Sequence, residues 1–276
     1  MLPYPRLAAV LIIGLQFSVT CGQEAEKPAE ADRFAHLARM KELASSVHIF
    51  VARADSRLES ELVPEPVLRY SDNTRRTLES SLWIWGKAGR PTAILAIEFH
   101  PNQRPGPRWL YEIASLATER IAAERGDDLK WTAKEPGLQL QPIPAAAPPA
   151  SQPVRRLAQM KALRERFTAN ERAPIEGRIE LRPLTSPLHR YSDSAGGIVD
   201  GAIFSFANGT NPEVLLVIEA QESDGKSGWA YGLVQLTGET VKAQLDGKDV
   251  WERETANPPA VRDSYVNGWL PSEPTK

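Results

Sequence analysis

The clearest apolar patterns in the chain are short runs that occur in pairs. Residues 82–86 put Trp83 and Trp85 on one side by a two-residue period, and residues 203–207 do the same with Phe204 and Phe206. Each run ends in a turn of hairpin length, Lys87-Ala88-Gly89-Arg90-Pro91 or Asn208-Gly209-Thr210-Asn211-Pro212. Nearly continuous apolar runs follow at 92–99 and 214–220, the pattern of central strands covered on both faces. Residues 47–53, 57–62, 109–116, 178–184 and 229–236 also predict strands. Val241, Ala243 and Leu245 alternate up to the turn pair Asp246-Gly247, and Val250-Trp251 returns. Ahead of each strand set, Phe34, Leu37, Met40 and Leu43, and then Leu157, Met160, Leu163 and Phe167, are spaced for one face of a short helix. Residues 117–124 are open to two readings, strand or helix, because their propensity is helical.

The pairing extends along most of the chain. Arg69-Tyr70-Ser71-Asp72 returns as Arg190-Tyr191-Ser192-Asp193, a shift of 121 positions that also puts Ile97 on Ile218 and Glu98 on Glu219. A shift of 120 puts Trp109 on Trp229, Tyr111 on Tyr231, Trp131 on Trp251 and Met40 on Met160. A register that drifts by one residue while keeping Trp, Tyr and Met aligned predicts an internal duplication. Its period is domain-sized, well above the roughly 20–50 residues of solenoid repeats. The expected fold class is α+β: two homologous tandem domains, each an N-terminal helix on an antiparallel β meander. The expected boundaries are a signal peptide at 1–22, a spacer at 23–31, a first module at 32–141, a Pro-rich linker at 142–153, a second module at 154–255 and a C-terminal tail at 256–276.

Composition narrows the setting. The 276 residues are 42% hydrophobic and 25% charged, which places the chain with ordinary globular proteins. The net charge is −2 with both signs mixed and no basic stripe, which argues against a nucleic-acid partner. Arg6, an apolar run at 7–15 and the small residues Thr20-Cys21-Gly22 predict an export signal cleaved after Gly22. The single cysteine, Cys21, alternatively anchors a lipoprotein, although Ser18-Val19-Thr20 is a poor acylation motif. No later segment is long and apolar enough to predict a transmembrane helix. The expected location is therefore periplasmic or extracellular.

Candidate chemistry is sparse. Arg69, Asp72, Arg190 and Asp193 are either a ligand-gripping cluster at a strand end or a turn whose aspartates bond backbone amides over a packed tyrosine. Glu98 and Glu219 interrupt apolar strands, and a buried carboxylate needs a partner or a shifted pKa. Arg69 and Arg190 recur with them and are the expected partners; a general acid or base is the alternative. His36, His48, His100 and His189 do not recur between the copies or show metal-ligand spacing. No nucleophile elbow, phosphate loop or dinucleotide fingerprint is present, so neither catalytic residues, cofactor nor metal is expected. The tryptophans, exchanged for Phe at alternating positions, read as core; Trp269 has no counterpart and is expected to be exposed or at an interface.

The Arg-Tyr-Ser-Asp stretches, Asp200-Gly201-Ala202, Gly209-Thr210-Asn211-Pro212 and the Trp-x-Tyr strands resemble a group of uncharacterised exported bacterial proteins with a duplicated module. The resemblance implies architecture and carries over no activity. The leading expectation is a non-enzymatic exported protein with a binding or interaction role in the cell envelope, toward an envelope protein or a glycan. The alternative is a hydrolase-type enzyme with a carboxylate site between the modules.

Overall fold

A computed structural model describes residues 30–53, 56–72, 75, 77–174, 176–223, 225–254 and 264–270. The expected signal peptide, the spacer up to residue 29, Cys21 and most of the expected C-terminal tail lie outside them. In chain order the first half contains α1 (Glu30–Ser45), β1 (His48–Arg53), β2 (Ser56–Ser60), β3 (Leu68–Asp72), β4 (Thr77–Trp85), β5 (Ala93–His100), β6 (Arg108–Ser115), β7 (Ile121–Arg125), β8 (Leu129–Thr132) and β9 (Gln141–Pro142). The second half contains α2 (Pro153–Arg164), β10 (Phe167–Ala173), β11 (Gly177–Pro183), β12 (His189–Asp193), β13 (Ile198–Asn208), β14 (Asn211–Ser223), β15 (Lys226–Gln235), β16 (Thr240–Leu245), β17 (Lys248–Arg253) and finally β18 (Tyr265–Trp269).

The α+β class expected from the sequence does not hold. The protein is mostly β, with 55% of residues in strands and 12% in helices, and its antiparallel sheets curl. The segments after each helix carry the sheet round: β1 and β2 fall where the sequence predicts strands, whereas Phe167, expected on the face of the second helix, opens strand β10. In the second half β17-β16-β10-β11-β13-β14-β15-β9 run in that order, with β12 also on β13. In the first half β8-β7-β1-β2 and β3-β4-β5-β6-β18 are separate sheets joined by a bridge from Leu62 to Trp85. Residues 121–125 are strand, not helix: their backbone pairs with β1 and β8, which overrides local propensity.

Local sequence explains the ends of the elements. Pro153 occupies the first turn of α2, where its missing N–H costs nothing, and Lys161 and Arg164 sit in the last turn, where cations suit the helix dipole. Asp246 and Gly247 both have positive φ, 52° and 76°, which suits the tight β16–β17 hairpin. Each helix lays one face on its own sheet: Met40, Leu43 and Ala44 against Trp83, Trp85 and Leu95, and Met160 and Leu163 against Phe204, Phe206 and Leu216.

The opposite faces of β4–β6 and β13–β15 meet each other. Leu82, Ile84, Ile94, Ala114, Ile203, Leu215, Val217 and Val234 form one shared cluster between the halves. The central strands are thus buried on both sides. The halves also exchange their final strands. β9, which ends the first half, pairs with β15 of the second, and Ile143 N–H continues the ladder to Trp229 C=O at 2.8 Å. β18, which ends the second half, pairs with β6 of the first, and Leu270 N–H reaches Trp109 C=O at 2.8 Å. Gly137 makes the crossing possible, since a Cβ there would lie 2.0 Å from the Ser115 carbonyl oxygen.

Candidate functional site

The recurring arginines do not go where the sequence reading placed them. Arg69 donates to Glu79 at 3.0 Å, and Arg33 of α1 donates to the same carboxylate at 2.9 Å. Arg190 donates to Asp200 at 2.6 and 2.8 Å, joined there by Arg156 at 2.9 Å. The reason is strand alternation. Tyr70 and Tyr191, not their arginine neighbours, share the inter-half face with Glu98 and Glu219. The tyrosine hydroxyls donate to those glutamates at 3.0 and 2.7 Å.

Two related polar centres result, both closed. Glu219 is 0% exposed. It receives Arg90 from the first half through two bonds of 2.7 and 2.8 Å, Tyr191, and Gln221 at 2.8 Å. Burial opposes its ionisation, but the Arg90 guanidinium and the other donors outweigh burial and hold its carboxyl below the usual value. Glu98 is 2% exposed. His100 falls on Gln221 at the shift of 121 positions, and its Nε2 lies 3.1 Å from Glu98 Oε2. Asn211 occupies the place of Arg90; it is buried, and neither atom of its amide has a hydrogen-bond partner among the described residues.

The Glu98 end gathers further buried acids that do not recur. Glu112 on β6 accepts from the Tyr265 hydroxyl of the exchanged strand β18. Arg75 lies 2.7 Å from Glu213 and 3.4 Å from Glu171, and Asn208 donates to Glu171 at 2.6 Å. Burial, reinforced by the charge of Glu98, pushes the Glu112 carboxyl up to about 8, against the opposing pull of Tyr265 and Arg75. Burial likewise pushes Glu213 well above the usual carboxylate range. One guanidinium, that of Arg75, thus faces four carboxyl groups, and burial raises the two that are pushed up, Glu112 and Glu213.

Asp72 and Asp193 sit at corners. Asp193 accepts the Gly196 N–H at 3.0 Å and Asp72 accepts the Arg75 N–H at 3.4 Å. Each corner abuts the hairpin of the other half: the Thr210 hydroxyl donates to the Ser71 carbonyl, and Gly89 lies against the Asp193 carboxylate. Of the six residues singled out by recurrence, the structure therefore brings Glu98 and Glu219 onto the inter-half face, puts both aspartates at its rim, and turns both arginines outward. Arg75, Arg90, Glu112, Glu171 and Glu213 escaped the sequence reading, because none has a like residue at the equivalent place in the other half.

Two open concavities lie elsewhere, on the second-half sheet and at its β9 edge. A polar groove of about 410 Å3 runs over the outer face of β10, β16 and β17 and includes Asn170, Arg172, Lys242 and Glu252. A recess of about 250 Å3 adjoins it at Glu252, between β17 and the β9–β15 edge. Trp269 is half-buried, with the Arg108 guanidinium 4.9 Å from its ring centre and His100 packed edge-on at 5.2 Å. Among the described residues no group of three or more His, Cys, Asp or Glu could hold a metal ion, and no helix is long and apolar enough to cross a membrane. Compared with family models, curated proteins and solved structures, the chain has no match.

Proposed function

We propose that this chain is an exported, non-enzymatic binding protein of the cell envelope, built from two copies of one module, whose partner engages the outer surface of the second half. What carries the reading is the closure of Glu98 and Glu219. The two carboxylates best placed for catalysis are spent on tyrosine, histidine, arginine and glutamine partners beneath the interface, whereas the open concave surfaces are lined by hydrogen-bonding side chains. In this reading the glutamates hold the halves together. Glu219→Gln weakens the Arg90 contact and lowers the melting temperature, while ligand-induced thermal shifts of the full chain against peptides and glycans are unchanged. Retained stability with lost binding in Glu98→Gln or Glu219→Gln would overturn it.

A second reading, a hydrolase with a carboxylate site between the modules, draws on Glu112. An acid kept protonated near neutrality beside another carboxylate is the arrangement used for general acid work. Turnover of chromogenic esters or glycosides that disappears in Glu112→Gln or Glu98→Gln would favour it over the first.

A further inference from the structure

We propose that the recess between Trp251 and Tyr231 is a saccharide subsite, one that takes a single pyranose ring of a glycan whose next units lie along the adjoining groove. The inference rests on the binding reading above and names its ligand class.

The recess exists because the second-half sheet curls without closing. β17 is one edge of that sheet and β9 the other, and the gap between them is lined by Gln139, Gln141, Tyr231, Trp251, Glu252 and Arg253. A sugar ring offers an apolar C–H face and a girdle of hydroxyls that both donate and accept. The partly open Trp251 ring matches the first, Tyr231 being buried in the core with only its hydroxyl directed to the recess wall, and side-chain amides, guanidinium and carboxylate match the second. Two of these groups are already positioned. The Tyr231 hydroxyl donates to Gln141 Oε1 at 3.0 Å, and Arg253 is held by Glu135 at 3.4 Å with its guanidinium 5.8 Å from the Trp251 ring centre.

The two halves differ here in a telling way. Trp131 occupies the same repeat position as Trp251, yet it is buried in the first-half core. Trp251 is only partly covered and faces the recess. Trp251 packs one side against the second-half core and keeps part of its ring open toward the recess, an exposure that Trp131 lacks. The size fits a monosaccharide unit: about 250 Å3 falls below the roughly 300–1,000 Å3 of sites for drug-sized ligands. The groove of about 410 Å3 that shares Glu252 gives the following units a polar path over the β17 edge, past Lys242 and Gln244.

The test titrates the full chain with chitotriose, cellotriose and trigalacturonate, followed by tryptophan emission and calorimetry, with short peptides as a parallel arm. The expected result is millimolar or tighter binding of at least one trisaccharide. Trp251→Ala weakens it by about tenfold or more, the scale of a lost stacking contact. Gln139→Ala, at an exposed position, weakens binding with an unchanged melting temperature, and Trp269→Ala binds like the parent. No response to any trisaccharide at millimolar concentration, or unchanged binding in Trp251→Ala, overturns the subsite. Peptide binding without sugar binding overturns the subsite and leaves the wider binding reading intact. Cleavage of a bound trisaccharide upholds the subsite and overturns the non-enzymatic reading.

Discussion

Glu112 and Glu219 are both buried glutamates on the inter-half face, yet their surroundings push them in opposite directions. Glu219 has a two-pronged arginine and is held below its usual range, whereas Glu112 has a tyrosine, a shared arginine and another carboxylate, and is pushed up to about 8. The unfolded chain releases the Glu112 proton near its ordinary value of 4.5, so between about 4.5 and about 8 the folded state binds one more proton than the unfolded state. Stability from this group is full below that window and is lost as pH rises through it. Glu219 works the other way: its contribution is present above its ordinary value and is lost as pH falls through its lowered one. Urea unfolding should therefore show stability declining from pH 5 to pH 8 by on the order of a few kcal/mol. Glu112→Gln, which mimics the protonated acid, should flatten the decline and match the parent near pH 5. The sequence exposed Glu98 and Glu219 because they recur in apolar strands. It hid Glu112 because the equivalent position is Gly232, so the same filter discarded it. The arginine partners were misassigned because residues adjacent in a strand face opposite ways, and Tyr70 lies next to Arg69.

Among the elements, the hairpins were legible and the exchanged strands were not. Strands β4, β5, β13 and β14 announce themselves by alternation or by unbroken apolar runs, and the Asp246-Gly247 turn by its dipeptide. β9 is two residues long and includes a proline, so nothing local marks it as a strand. β18 is visible only as the apolar patch of Tyr265, Trp269 and Leu270; that it pairs with a strand some 150 positions earlier is a tertiary fact. Tyr265, Val266 and Leu270 are buried by that pairing, each contributing roughly 1.5–3 kcal/mol by area. A chain ending at residue 263 should unfold at clearly lower urea and bind a hydrophobic dye, because β6 becomes a bare edge. An unchanged midpoint would mean that β18 adds little.

At the scale of the molecule, the sequence misjudged the class because each helix was given the weight of a layer. Each covers one face of a sheet whose other face is buried against the other half. The curl comes from β1, β2, β10 and β11: β1, β2 and β11 carry strand patterns in the sequence and β10 does not, and the pairings of β1 with β7 and of β10 with β16 span the chain and leave no local mark. The exchange of final strands has a mechanical outcome. Introduce a protease site between Pro148 and Pro149 and cut it: the first fragment still has β9 stitched into the second, and the second still has β18 stitched into the first. The two pieces should travel as one body through gel filtration and come apart only in denaturant, which would make the covalent tether dispensable once folding is done.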